Sequence, residues 1–372
     1  MKYKGIFLDD RDKDKYFADK LSWNGEPSLS IEFMMVSKGL EDQANNILKA
    51  APDIVLLDYR LTDNPSGEVA IRYKAGPLAQ QLRDSVIGPD NTTCDFPVVL
   101  LSAEDKKLHG YDPDLTTHDL FDRVYVKEQV VSEIESTQKE LIALADGYKK
   151  LNGTLNFLDG FYELLGLNED EKYLTSNQDI RRLIKVSASH QLSRVILKYF
   201  ILRNGLLLDA YGVIALLGID PESDTSTLLK FLTDQTTQYS GVFSGGWALW
   251  WRHRVEELFA RLFNCNPGSI SSKERVSKLN ALLKSDLKPA LSKWVKVETV
   301  FPAFACASCG HPTERKHSVA AFDDMPSFVE KKRICWSCVE TGTFENIEDL
   351  EIADADEYVK QKIENGELKS EV

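Results

Sequence analysis

Residues 54–61 read IVLLDYRL, in which four aliphatic residues stand directly before Asp58. A short, uninterrupted apolar run of this kind is typical of a strand that is buried on both faces of a parallel sheet. Similar runs lie on either side of it, at residues 6–8, 31–36, 98–101 and 124–126. The segments between the runs have helical patterns. Strands that alternate with helices predict a doubly wound α/β domain with a five-stranded parallel sheet.

Polar side chains stand where four of these predicted strands end. They are Asp9 and Asp10, Asp58, Ser102 and Lys127. Because the carboxyl ends of parallel strands meet at one edge of a sheet, we expect these groups to lie close together. Clustered carboxylates repel one another unless a cation lies among them, and Mg²⁺ suits hard oxygen ligands. A carboxylate can also attack phosphorus, and a hydroxyl and an ammonium can then hold the phosphoryl oxygens.

In these residues the chain, from residue 1 to about 130, resembles the receiver domain of two-component response regulators, a flavodoxin-like fold. The resemblance implies that Asp58 accepts a phosphoryl group from a histidine kinase or a phosphotransfer protein. It also implies that Asp9, Asp10 and Asp58 bind Mg²⁺ together with the backbone carbonyl of Arg60. Enzymatic activity beyond phosphorylation and dephosphorylation of the receiver itself is not expected.

The same resemblance implies that Ser102 is the switch hydroxyl and that Lys127 contacts the phosphate. Receivers usually have a proline after this lysine and an aromatic residue three positions before it. Here Glu128 follows the lysine, and Val124 stands at the aromatic position, with Tyr125 one residue later. The connection at residues 76–95 is longer than usual, and GPDNTT within it predicts a surface loop. We therefore expect the phosphorylation chemistry to be intact and the output switch to be atypical.

The middle of the chain has helical periodicity and few strand signals. The predicted helices are residues 132–151, 155–165, 179–208, 225–234, 247–263 and 272–297. No helix-turn-helix pattern occurs there, so a DNA-binding output is not predicted. Residues 252–298 hold ten Lys or Arg and five Asp or Glu. We interpret this balance as solvated helix faces, with a nucleic-acid or partner surface as the alternative.

Two local features of this region each have two interpretations. His190, within ASHQLSRV, is interpreted as a partly buried structural histidine, with phosphotransfer as the alternative. The glycines at residues 245–246 precede a tryptophan, and helix N–H groups there could face an anion. We favour a turn followed by a helix whose Trp250 and Trp251 pack in a core.

The last quarter of the chain carries two CxxC pairs with 25 residues between them. They are Cys306 with Cys309 and Cys335 with Cys338. Two such turns can present four thiolates to one ion, which predicts a closed, structural zinc site. Redox dithiols and an iron–sulfur centre are the alternatives. His311 and His317 lie between the pairs and could replace a cysteine.

Composition and charge limit the function classes. The chain has 372 residues, 43% hydrophobic and 28% charged, which is typical of a soluble globular protein of two or three domains. The net charge is −13, and residues 340–372 hold eleven acidic residues against three lysines. We expect this tail to be solvated, with a partner-binding or self-shielding segment as the alternative. Neither a signal peptide nor a membrane span is predicted, so we expect a cytoplasmic protein.

These observations predict a receiver domain at residues 1–130, a helical linker and domain at 131–298, a zinc-binding module at 299–345 and the acidic tail at 346–372. We expect a response regulator that acts through protein–protein interaction of its helical and zinc-binding parts. The alternatives are a phosphate sink or intermediate carrier, a nucleic-acid-binding regulator that uses the zinc module and the basic helices, and an unrecognised enzyme. Oligomeric state is not predicted.

Overall fold

The computed structural model describes residues 1–61, 73–87, 94–102, 117–154, 156–347 and 349–368, with only the backbone described at Thr117 and His118. The predicted loop GPDNTT therefore lies outside the described residues. The chain divides into two compact units. Unit 1 comprises Met1–Leu197 and Ser240–Trp247, and unit 2 comprises Lys198–Tyr239 and Ala248–Val372.

A five-stranded, fully parallel sheet forms the centre of unit 1. Its strands are β1 (Lys2–Asp9), β2 (Ser28–Met35), β3 (Ile54–Asp58), β4 (Val98–Ser102) and β5 (Arg123–Val126). Their order is β2-β1-β3-β4-β5, the doubly wound order of flavodoxin-like folds. The predicted α/β fold class is confirmed. Every residue of β3 and of β4 is buried, as the continuous apolar runs predict.

Helices cover both faces of this sheet because the strands carry apolar side chains on both sides. The helices around it are α1 (Tyr16–Leu21), α2 (Leu40–Lys49), α3 (Ala75–Ser85), α4 (Lys127–Ser132) and α5 (Ile134–Asn152). On one face, Leu57 and Leu100 share a core with Ile47 of α2 and Leu78 of α3. On the other face, Phe7 packs edge-on against Phe17 of α1.

Three shorter helices complete unit 1: α6 (Phe157–Leu164), α7 (Gln178–Leu183) and α8 (Ser189–Ile196). The single helix predicted at residues 179–208 is therefore interrupted. Gln191 explains one end, because its side-chain oxygen accepts from the backbone N–H groups of Ser187 and Ala188 and caps the start of α8. The chain then continues through a π-helical turn at Leu197–Ile201.

Unit 2 begins with a helical part. Its elements are β6 (Leu207–Leu208), α9 (Ala210–Leu217), α10 (Ser226–Asp234), β7 (Trp250–Trp251), α11 (Arg252–Phe263) and α12 (Ser272–Leu283). The helix predicted to start at residue 247 starts at Arg252, because the two tryptophans pair with β6 as a strand instead. The helix predicted at residues 272–297 ends at Leu283, and Lys284 follows it with a φ of +53°.

Small strands and two short helices form the rest of unit 2. They are β8 (Phe304–Ala305), β9 (Pro312–Thr313), β10 (Ser318–Ala320), β11 (Arg333–Cys335), α13 (Trp336–Glu340) and α14 (Glu357–Glu364). Leu350 and Ile363 of the acidic tail are buried in the same apolar cluster as three of the cysteines. Of the part of the chain that the structure describes, no helix has both the length and the apolar character needed to cross a bilayer.

Candidate functional site

The register of the parallel sheet brings the polar strand ends to one edge. Asp9, Asp58 and Ser102 are the last residues of β1, β3 and β4, and Lys127 directly follows β5. All four side chains are buried, with Asp9 0% and Lys127 6% exposed. Asp9, Asp58 and Lys127 are therefore held out of bulk water. Interactions between charges are stronger in such a buried environment than in water.

Lys127 is the centre of the ion pairs at this edge. Its Nζ lies 2.6 Å from Oδ1 of Asp58, 2.9 Å from Oδ2 of Asp9 and 3.3 Å from Oδ2 of Asp14. The ammonium therefore joins the predicted phosphoacceptor to a predicted metal ligand. The same ammonium lies over two aromatic rings, since Nζ is 5.6 Å from the ring centroid of Phe7 and 5.3 Å from that of Phe17.

Two charged residues at this edge were missed by the sequence analysis. Asp14, on a short 3₁₀ helix (Asp12–Lys15), is buried, and its carboxylate accepts from Arg11 Nη2 at 2.6 Å. Arg11 Nε also lies 3.7 Å from Asp9 and 4.0 Å from Asp10. Neither residue ends a strand, so the strand-end pattern could not find them. The dense charge of DDRDKDK at residues 9–15 was the available signal.

Burial and neighbouring charges shift the pKa values at this edge in opposite ways. Burial raises the pKa of Asp58 above its ordinary value; the positive charge of Lys127 opposes this rise, and Asp9 adds to it. Burial alone would lower the pKa of Lys127, but Asp58 and then Asp9 hold it above the ordinary value. Lys127 is therefore a permanent cation at neutral pH.

The residues present fit a magnesium ion. Carboxylate oxygens of Asp9, Asp10 and Asp58 all lie within 4.8 Å of one another. Octahedral coordination with bonds of about 2.1 Å requires ligand oxygens about 3–4 Å apart, which this cluster can provide. Four carboxylates, with Asp14 included, face the two cations Arg11 and Lys127, so the formal balance of −2 matches one divalent ion. For Arg60, the backbone N–H donates to Oδ2 of Asp58 at 2.9 Å.

Val124, at the position that is usually aromatic in receivers, and the next residue, Tyr125, face different sides of the sheet. Val124 packs partly buried against the core on the α2 and α3 side. Tyr125 donates from its hydroxyl to Oε2 of Glu140 on α5 at 2.7 Å, and the Arg123 guanidinium lies 5.2 Å from its ring centroid. Burial raises the pKa of Tyr125 well above its ordinary value, so the phenol stays protonated. Glu128, in place of proline, lies in the first turn of α4.

The four cysteines of the CxxC pairs form a second cluster, in unit 2. Their Sγ atoms all lie within 4.8 Å of one another, and Cys309 Sγ is 4.0 Å from Cys335 Sγ. Tetrahedral coordination with metal–sulfur bonds of about 2.3 Å places sulfur atoms about 3.8 Å apart, so the cluster fits such an ion. A hydrogen bond from Cys306 lowers the pKa of Cys309, and a hydrogen bond from Cys306 lowers the pKa of Cys338 to about 6. Hydrogen bonds within the cluster raise the pKa values of Cys306 and Cys335 in turn, so negative charge is favoured on Cys309 and Cys338.

Backbone turns hold these thiols in place. Gly310 has a φ of +68°, and its N–H donates to the Cys306 carbonyl at 2.8 Å, which closes the first CxxC turn. The backbone N–H of Cys335 donates to Cys306 Sγ at 3.2 Å and ties the second pair to the first. Lys293, which sequence analysis missed, lies close enough to the thiols for Cys309 to raise its pKa against the lowering effect of burial.

The remaining candidate residues have other contacts. His311 Nε2 lies 2.6 Å from the carbonyl of Leu291, and His317 Nδ1 lies 2.5 Å from Glu314, so neither histidine belongs to the cysteine cluster. His190, in unit 1, contacts Asp95 through Nδ1 at 2.7 Å and through its backbone N–H at 2.7 Å.

No family model matches the chain, and no curated protein matches it. Solved structures that match include the signal receiver domain of the response regulator NarL from Mycobacterium tuberculosis. That match has 16% identity and a TM-score of 0.26, and it covers 37% of this chain and 97% of that one. Another is a fusion protein with part of the yeast Spc42 trimeric coiled coil, at 14% identity and a TM-score of 0.27, which covers 47% and 96%. Similarities at this level are too weak to assign a family or an activity.

Proposed function

We propose that the sheet of unit 1 is the receiver of a two-component phosphorelay and that Asp58 is its phosphoacceptor. One observation carries the proposal. The Lys127 ammonium lies 2.6 Å from Asp58 and 2.9 Å from Asp9, both of them buried at the carboxyl edge of the sheet. This is the edge at which open α/β sheets bind their ligands, and a buried nucleophile beside a fixed cation suits the transfer of an anionic group.

The transfer requires an in-line attack by one carboxylate oxygen. An oxygen of Asp58 bonds to the phosphorus of a phosphohistidine, the P–N bond breaks, and the imidazole leaves with the electron pair. Lys127 then donates to a phosphoryl oxygen, and the Ser102 hydroxyl, at the end of the neighbouring strand, is the second donor. A bound Mg²⁺, held by Asp9, Asp10, Asp58 and the Arg60 carbonyl, would neutralise charge on the phosphoryl group.

A histidine kinase or a phosphotransfer protein would supply the phosphoryl group. We propose that the output is protein–protein interaction of the helical region and the zinc-binding module, in which four thiolates hold a structural zinc ion. Val124 at the usual aromatic position, together with the hydrogen bond between Tyr125 and Glu140, favours a second candidate function. In that role the receiver is a phosphate sink or intermediate carrier, and phosphorylation does not reorganise its β5 surface.

Phosphorylation of the full-length chain tests the main proposal. Incubation with acetyl phosphate and Mg²⁺ should add one phosphoryl group, detected by intact-mass spectrometry and removed by hydroxylamine. Asp58→Asn should abolish the labelling, and so should EDTA.

Asp53→Asn is the matched control, because Asp53 lies at the opposite end of β3, where it accepts from the backbone N–H of Lys4 at 2.8 Å. This variant should be labelled like the wild type. A wild-type protein that takes no label in Mg²⁺, or an Asp58→Asn protein that is labelled normally, would contradict the proposal. Hydrogen exchange of the β5 and α5 peptides, with and without the label, separates the two outputs. A change there supports a switch, and no change supports the carrier.

A further inference from the structure

A second charged feature lies in unit 2, and its lining contains none of the four clustered cysteines. It is a surface cavity of about 560 Å³, here called the basic cavity. Its charged and aromatic lining residues are Arg252, Arg315, Lys331, Arg333, Phe304 and Phe328. One carboxylate, Glu330, also lines it, so four cations and one anion leave a formal balance of +3. This local charge is opposite in sign to the net charge of −13 of the whole chain.

Glu330, the one carboxylate among the described residues that line the basic cavity, already has a cationic partner. Glu330 forms an ion pair with Arg252, whose Nε also donates to the Gly205 carbonyl at 3.1 Å. Burial raises the pKa of Glu330, and Arg252 opposes that rise. Glu330 therefore neutralises Arg252, and no other described carboxylate lines the cavity to pair with Arg315, Lys331 or Arg333.

Those three cations lack carboxylate partners in the described part of the chain, where none lies within 4 Å of Arg315, Lys331 or Arg333. Arg333 is instead held by neutral acceptors, with Nε donating to Ser318 Oγ at 2.8 Å and Nη2 to the Ser318 carbonyl at 2.8 Å. Like charges held together in a cavity favour the binding of an anion.

Contacts of the lining residues hold the shape of the cavity. The Arg333 guanidinium lies over the Phe304 ring at 5.7 Å, and the ring of Phe328 packs against that of Phe200 at 5.2 Å. The wall that carries Phe328 is tied down by the Glu330 N–H, which donates to the Asn204 carbonyl at 2.9 Å. A preorganised site loses less free energy to ordering when a ligand binds.

Size and lining together narrow the class of ligand. A volume of about 560 Å³ falls within the range of small-molecule sites, about 300–1,000 Å³, and exceeds what one inorganic anion fills. Arginine forks recognise phosphate, whereas aromatic rings and guanidinium planes stack on bases. We propose that the basic cavity binds a nucleoside phosphate, with the phosphate against Arg315, Lys331 and Arg333 and the base against Phe328. A free nucleotide and the terminal nucleotide of a single strand present the same chemistry.

Titration calorimetry of the full-length protein at low salt tests this proposal. The probes are AMP, ADP, ATP, GMP, adenosine, inorganic phosphate, a 5′-phosphorylated oligothymidylate and a glutamate-rich peptide. At least one nucleotide or the oligonucleotide should saturate one site with a Kd below about 100 μM. Adenosine and inorganic phosphate should each bind at least about tenfold more weakly than the nucleotide, because adenosine lacks the phosphate and inorganic phosphate lacks the base. Saturation by free nucleotides identifies them as the source, and saturation by the oligonucleotide alone identifies a nucleic-acid end.

Two double variants make the test specific. Arg315→Met with Lys331→Met removes two exposed cations of the cavity and should weaken binding about tenfold or more. Lys230→Met with Arg261→Met removes two exposed cations of α10 and α11 outside the cavity and should change binding less than about twofold. The proposal is overturned if neither nucleotides nor the oligonucleotide saturate, if the acidic peptide binds as tightly as they do, or if both double variants bind alike.

Discussion

Replacement of Arg83 by methionine should destabilise unit 1 more than any surface substitution. The Arg83 side chain is 5% exposed, and Nη1 and Nη2 reach Asp95 Oδ1 at 3.0 Å and Asp122 Oδ2 at 2.7 Å. Nη1 also donates to the Phe96 carbonyl at 2.7 Å. The substitution keeps the apolar stem but leaves two buried carboxylates without this cation.

The size of the effect follows from burial. Removal of one member of a buried ion pair costs about 3–5 kcal/mol, since the remaining charge stays desolvated. Asp122 keeps three hydrogen bonds, from Tyr148 Oη at 2.6 Å, Ser193 Oγ at 2.8 Å and the Val98 N–H at 2.9 Å. We therefore expect the loss of free energy to lie near the cost for one ion pair rather than two. For a unit of about 200 residues, each kcal/mol shifts the melting temperature by about 2–4 °C. We therefore expect unit 1 to melt about 6–20 °C lower.

Scanning calorimetry measures the shift, and hydrogen exchange of peptides from β4 and β5 shows that it belongs to unit 1. Arg194→Met is the matched control, because Arg194 pairs with Asp119 at a surface position where both side chains are about two-fifths exposed. Exposed pairs contribute about 0–1 kcal/mol, so the control should melt within about 4 °C of the wild type. If the two variants melt at the same temperature, the buried network around Arg83 does not stabilise the unit.

Four further outcomes are expected. Lys127→Met should slow labelling by acetyl phosphate about 10²–10³-fold, whereas Lys149→Met should not, because Lys127 pairs with Asp58 and Lys149 pairs with Asp53. Metal analysis should find about one zinc per chain, and Cys306→Ser with Cys309→Ser should lose it. Arg275→Met should destabilise unit 2 by about 3–5 kcal/mol in urea unfolding, since it removes the guanidinium donor from three carbonyls, two of them in fully buried hydrogen bonds. Burial raises the pKa of Asp95, but the His190 hydrogen bond and then Arg83 lower it below its ordinary value. Its stabilisation is therefore present above about pH 4 and lost below, and acid unfolding should begin at higher pH in Arg83→Met.

The strands and the polar groups at their ends were predictable because each is a local pattern. The run before Asp58 needs only its own residues to indicate a buried strand, and parallel strands must bring their carboxyl ends together. Asp14 and Arg11 were not predictable in this way. Their place at the edge depends on a 3₁₀ turn after β1, and no pattern of strand ends includes them.

In the helical region, tertiary contacts rather than local sequence patterns decided the structure. The helix expected to run from residue 247 begins at Arg252, because Trp250 and Trp251 pair with Leu207 and Leu208, more than 40 residues earlier. Helical periodicity cannot register a strand partner so far away in the chain, and tertiary pairing overrode local propensity. The basic cavity was likewise invisible in the sequence, since Arg252 and Arg333 lie in segments that only the fold brings together.

The amino-acid sequence by itself determined the α/β class, the aspartates and lysine at the strand ends, and the two CxxC turns. These features depend on residues a few positions apart, so short-range geometry is sufficient. The tertiary structure alone decided that Lys127 bridges Asp58, Asp9 and Asp14, that Tyr125 faces Glu140, and that Lys293 reaches the thiols. Those contacts join segments separated by many residues, and only the register of the sheet and the packing of the helices set the distances between them.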